Sequence, residues 1–234
     1  MKPPVYAVSL GPGNPQLISL QAQKRLQEAD LIYYPQPLRG PSLSKSILSE
    51  SQIPTHIPLK PFNLCLQEKI QTQEQIYKKI AEEIKHQVQE GKKICMACEG
   101  DISIYASIAK IAERLSEKGV EVRREAGISS YAEAAAELNL SLLKKTENML
   151  FLSSCPNLEN FIQQVKDVNT VVFFKVKHVW SWLYPYLINT KTWKPYYAEH
   201  IGQTNSFTTS DLSHLKNKSI PYFALLILMR CSSS

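Results

Sequence analysis

Hydrophobic positions follow two rhythms along this chain. Short, nearly continuous apolar runs at residues 5–10 (Val-Tyr-Ala-Val-Ser-Leu), 31–34 (Leu-Ile-Tyr-Tyr) and 93–97 predict strands buried on both faces, as in a parallel sheet. Helical spacing fills the intervals. Ile18, Ala22, Leu26 and Ala29 predict one helix. Ile76, Ile80, Ile84 and Val88 form the inward stripe of a long helix over residues 66–90, closed by Gly91. Ile104, Ile108, Ile111, Ala112 and Leu115 predict a third, beginning at residue 104. A short helical segment near 44–48, a strand near 56–59, a strand at 120–124 and a helix after Gly127 with Tyr131, Ala134, Ala135 and Leu138 inward complete this half. The strand–helix–strand unit over residues 5–34 predicts a parallel pair with a right-handed crossover.

After a linker at 140–145 the pattern changes. Strands are predicted at 149–152, 170–176, 193–199 and 222–229, helices at 157–165 and 178–188, and a serine tail at 232–234. The fold class is α/β. Two α/β domains, residues 1–142 and 143–234, are expected with a small-molecule cleft between them.

Composition narrows the function classes. A hydrophobic share of 44% with 21% charged residues is that of a globular protein, and 234 residues suffice for a sizeable core. The net charge of +6 comes from scattered basic pairs, none dense enough for a nucleic-acid arm; a mildly basic surface fits an acidic partner, whose class charge alone does not name. No apolar stretch reaches membrane-spanning length and no leader pattern precedes the first strand. Five dispersed cysteines suggest reduced thiols in a cytoplasmic protein. Cys95 and Cys98 lie three apart in a strand and so face opposite ways, which defeats chelation. The five histidines have no metal-ligand spacing, and no metal site is expected.

The chemistry-bearing stretch is Glu99-Gly-Asp-Ile-Ser-Ile-Tyr-Ala-Ser107. It follows the apolar run at 93–97 and places Gly100 and Asp101 at the carboxyl end of a strand, where open α/β sheets bind ligands. Asp101 can either cap the expected helix or face a ligand. Gly11-Pro-Gly-Asn-Pro15 ends the first strand but has Gln16 where a dinucleotide fingerprint needs its third glycine, so a nicotinamide site is rejected. Gly127-Ile-Ser-Ser130 forms another glycine turn. Ser129 and Ser130 have no accompanying base and are not read as nucleophiles.

In order and spacing, these pieces resemble the tetrapyrrole (corrin/porphyrin) methylase family, which uses S-adenosyl-L-methionine. The resemblance is carried by Val8-Ser-Leu-Gly-Pro-Gly-Asn-Pro-Gln-Leu17, Ala29-Asp-Leu-Ile-Tyr-Tyr-Pro35, the Gly100-Asp101 stretch and Gly127-Ile-Ser-Ser130. Within the family, Ile104 and its neighbours in Ile-Ser-Ile-Tyr-Ala-Ser, together with the late runs 171–177 and 222–228, resemble the branch that methylates C20 of precorrin-2. Ile102 stands where the family often has proline, a replacement that the C20 branch tolerates. Ala126 stands where it usually has proline, which removes a fixed φ from that loop.

The resemblance implies a cofactor site of Gly100, Asp101, Ile102, Ile104, Ser129, Ser130, Phe174 and Gly202, and a tetrapyrrole trough faced by Gly11, Pro12 and Gly13. It also implies a homodimer. Asp101 is the candidate catalytic residue, either assisting proton removal, holding the charged donor or only binding cofactor. The alternatives are a sister enzyme acting at another ring carbon, on diphthine or on ribosomal RNA, and a non-catalytic tetrapyrrole carrier.

Overall fold

The computed structural model describes residues 2–64 and 70–231. Cys65, the first residues of the expected long helix and the serine tail lie outside them. The chain divides into two compact units, Met1–Ser130 and Tyr131–Ser234.

The first unit is built on a five-stranded, all-parallel sheet of β1 (Val5–Ser9), β2 (Leu31–Pro37), β3 (Leu59–Leu64), β4 (Ile94–Cys98) and β5 (Val122–Glu125), in the order β3-β2-β4-β1-β5. The expected strand–helix–strand unit forms, but β1 and β2 are not neighbours, because β4 lies between them. All five β4 residues are buried; a strand with no polar face belongs at a sheet's centre, covered on both sides.

The faces divide by alternation. Ile94, Met96 and Cys98 pack with α3 (Ile70–Gln89) and α4 (Ile108–Glu117), through Ile80, Ile84, Val88, Ile111 and Leu115. Cys95 and Ala97 face α1 (Leu20–Gln27) and α2 (Leu43–Glu50), through Ala22, Leu26, Ile47 and Leu48. Strand β2 continues through Pro35, beyond the run expected at 31–34. Past Tyr33 only β3 pairs with it, so a residue without an N–H is tolerated there.

Helix α4 starts at Ile108, four residues later than its apolar stripe suggests. Tyr105 has φ +52°, a left-handed conformation that no helix interior accommodates. Residues 99–107 are therefore a loop, and Asp101 lies well before the helix rather than at its cap.

The second unit carries a mixed sheet in the order β6-β7-β10-β8-β9: β6 (Met149–Leu152), β7 (Thr170–Phe174), β8 (Trp193–Glu199), β9 (Phe207–Thr209) and β10 (Ala224–Arg230). Only β6 and β7 are parallel. One face packs Phe161 of α6 (Leu158–Gln164) and Leu183 of α7 (Trp180–Asn189) against Phe173, Trp193 and Tyr197. The other receives α5 (Ser130–Glu137), whose buried Ala134 joins Val172, Ala198, Leu225 and Ile227. That packing draws α5 into the second unit, so the division falls at 130/131, ahead of the linker at 140–145. Among the described residues no helix is long and apolar enough to cross a membrane.

Candidate functional site

Strand order positions the site. Because β1 lies between β4 and β5, their carboxyl ends bring the three glycine turns of the first unit together. Gly11 donates its N–H to the Gly100 carbonyl at 3.2 Å, and Gly100 donates back to the Gly11 carbonyl at 2.7 Å. Both have φ +75°, the left-handed region where glycine is unstrained. A side chain at Gly11 would press on Leu17, whereas at Gly100 it would meet nothing within 4 Å. Gly100 therefore leaves open space beside a fixed backbone. Pro12 is buried beside Gly11, and Gly13 is half-buried.

The Asp101 carboxylate accepts three hydrogen bonds, from two hydroxyls and an amide. Oδ1 accepts from the Ser103 N–H at 2.9 Å and from the Ser103 hydroxyl at 2.6 Å; Oδ2 accepts from the Ser129 hydroxyl at 2.8 Å. Burial on its own raises the affinity for a proton, but the Ser103 hydroxyl and amide and the Ser129 hydroxyl outweigh it and hold the Asp101 carboxyl below its usual range. A group tuned in this direction is a poor proton acceptor near neutral pH and a good fixed negative charge. Of the roles open to Asp101 in sequence, capping is removed by the position of α4, and this tuning favours holding positive charge.

The neighbouring anion, Glu99, is tied elsewhere. Its carboxylate accepts from the hydroxyl of the fully buried Ser44 on α2, and its N–H donates to the same oxygen at 3.0 Å. Ile102 is buried, and Ile104 is half-buried with its N–H on the Asp101 carbonyl at 3.1 Å.

The third turn lacks the family's proline, yet it is held. The Ser19 hydroxyl donates to the Ala126 carbonyl at 3.3 Å and the Ser9 hydroxyl to the Glu125 carbonyl at 2.9 Å. Glu125 itself is buried and receives Arg25 Nε at 2.8 Å. Ser129 is buried against Asp101, and Ser130 opens α5.

Ser9 and Ser44 carry no motif that marks them in the sequence. The available signal for Ser9 was a lone hydroxyl near the end of a buried apolar strand, where it must find partners.

The structure thus brings Gly11, Gly100, Asp101, Ile102 and Ser129 together in the first unit. Phe174 and Gly202 belong to the second. There β7 and β8 flank β10, and their carboxyl ends meet its start, with Phe174 opposite Leu225 and Glu199 opposite Ala224. Phe174 packs edge-on to Tyr131 and tilted on Phe151, at centroid distances of 6.3 and 5.8 Å. Gly202 sits in a turn with φ +76°, two residues after His200 at +51°. Among the described residues no group of three or more His, Cys, Asp or Glu could hold a metal ion.

Comparison with known proteins agrees with this architecture. A protein of Methanocaldococcus jannaschii described as "Probable cobalt-precorrin-2 C(20)-methyltransferase" is 29% identical over 175 residues, 75% of this chain and 73% of that one. A cobalt-precorrin-4 C(11)-methyltransferase of the same organism is 30% identical over 138 residues, 59% of this chain and 47% of that one. Among solved structures, the uroporphyrin-III C-methyl transferase of Thermus thermophilus, complexed with S-adenosyl homocysteine, shares the fold at a TM-score of 0.69 and 18% identity, covering 97% of both chains. The family model for Tetrapyrrole (Corrin/Porphyrin) Methylases matches residues 4–215. With a match over nearly its whole length, this chain belongs to the tetrapyrrole methylase family.

Proposed function

We propose that the protein is an S-adenosylmethionine-dependent methyltransferase that replaces the C20 proton of precorrin-2, or of its cobalt form, with a methyl group during corrinoid biosynthesis. The observation that carries this reading is the Asp101 carboxylate, held ionised beside the open Gly100 turn. A fixed anion next to an unobstructed backbone fits a sulfonium donor. S-adenosylmethionine, when bound, supplies an already activated methyl group, so the chain needs no nucleophile–base pair. Its contribution is to hold donor and acceptor carbon in line, which is worth roughly 7–11 kcal/mol when orientation is good.

The residues proposed to bind the cofactor are Gly100, Asp101, Ile102, Ile104, Ser129 and Ser130 in the first unit and Phe174 and Gly202 in the second. Gly11, Pro12 and Gly13 are proposed to face the macrocycle, and the net positive charge suits its carboxylates. The C20 position is supported by the resemblance of the 102–107 stretch and by the Methanocaldococcus jannaschii relative named for that carbon. The relative named for C11 favours a second reading, methylation of a later corrinoid intermediate at that position.

Titration calorimetry should show saturable binding of S-adenosylmethionine and of its demethylated product, S-adenosylhomocysteine. No heat and no thermal shift with either at millimolar concentration would end the methyltransferase reading. The assembly is proposed to be a homodimer, and light scattering should give about twice the chain mass of 26.6 kDa; the mass of a single chain would contradict this.

A further inference from the structure

Ser9 is a fully buried polar residue whose contacts run outside its own strand ladder. It ends β1, between β4 and β5. Its hydroxyl accepts from the Ile102 N–H at 3.1 Å and donates to the Glu125 carbonyl at 2.9 Å. Its Cβ faces Gly127 so closely that a Cβ built on Gly127 would lie 2.2 Å from it. Ile102 directly follows Asp101, and Ser129, two residues past Gly127, holds the other end of that carboxylate. The contacts close a ring: Ser9 to Ile102, Asp101 to Ser129, Gly127 back to Ser9. One hydroxyl therefore ties the loop bearing the fixed charge to the loop that clamps it.

We infer that Ser9 is a positioning residue, whose hydroxyl sets the orientation of the Asp101 carboxylate toward the sulfonium donor. This rests on the methyltransferase reading above. The alternative is that Ser9 only satisfies two buried backbone groups, with no bearing on Asp101.

Two measurements on the 234-residue chain test this: the first asks whether Ser9 holds the Asp101 loop, and the second separates the two roles. In amide hydrogen exchange without ligand, Ser9→Ala should speed exchange at Ile102 and Ser103 by about tenfold or more while β10 amides keep their protection. Unchanged protection at Ile102 would overturn the inference.

In calorimetry with S-adenosylmethionine, Ser9→Ala and Asp101→Asn should each weaken affinity about tenfold. The double variant should also lose about tenfold, because without the charge Ser9 has nothing to position. Additive losses, near a hundredfold, would assign Ser9 to packing alone and overturn it. Should Ser9→Ala not fold, Ser9→Cys, with weaker hydrogen bonds from the same place, enters both experiments. If the wild type binds no S-adenosylmethionine, the methyltransferase reading fails, while the exchange result still decides whether Ser9 holds the Asp101 loop.

Discussion

Gly127→Ala should cost about 1–3 kcal/mol of stability, read as a lowered denaturant midpoint, and should abolish measurable cofactor binding. The new methyl would sit 2.2 Å from Ser9 Cβ and 3.2 Å from its oxygen. No rotamer change relieves this, because a Cβ is fixed by its backbone. Either the end of β1 or the 126–129 turn must move. β1 is buried between two strands, so the turn is the part that gives, and Ser129 moves away from Asp101 with it. The constraint is one of space, since Gly127, unlike Gly11 and Gly100, is not among the positive-φ glycines. Unchanged stability together with unchanged binding would show that this turn does not rest on Ser9.

Asp101→Asn should lower methyl transfer by roughly tenfold or more with little loss of stability. Asparagine keeps the shape, accepts from Ser103 through its carbonyl and can donate to the Ser129 hydroxyl. Only the charge disappears. A unit charge near a sulfonium in a half-solvated site is worth on the order of 1–2 kcal/mol, about tenfold in affinity.

The two roles for the charge separate cleanly. If it holds the donor, the variant loses affinity for S-adenosylmethionine but not for the neutral S-adenosylhomocysteine; if it removes the proton, kcat falls with both affinities intact. The lowered proton affinity of this carboxyl predicts the first pattern. The sign of its pH dependence follows. With a folded-state value below the ordinary 3.8, the stability it contributes is complete above that pH and fades as pH drops through the folded value, a loss the asparagine variant should not show. Equal activity in both proteins would show the charge to be dispensable.

Much of this was legible in the sequence, for local reasons. The strands of β1 and β4 are dense apolar runs, and α3 repeats its inward residues every four positions, so pattern alone places them. The glycine turns stand out because their positions follow directly on strand ends. What the pattern does not carry is which strands become neighbours. β4 inserts between β1 and β2 through packing on both faces, a property of the assembled sheet.

The hydrophobic pattern points four residues too early for the start of α4, because Ile104 keeps the helical spacing while belonging to the loop; the left-handed Tyr105 breaks the helix and has no signature in a hydrophobicity pattern. β9 is only three half-buried residues and depends on β8 for its pairing. Ser9 and Ser44 look like ordinary serines in sequence. Their roles come from backbone groups and a carboxylate that reach them across 93 and 55 residues.

The central claim is the transfer of one methyl group to a defined ring carbon. The most direct test incubates the purified chain with precorrin-2, or its cobalt form, and S-adenosylmethionine labelled in the methyl carbon, then locates the label in the product by carbon NMR. The account predicts a single new methyl at C20. A label at another ring carbon would move the protein to a different branch of the family, and the absence of transfer to either substrate form would contradict the account.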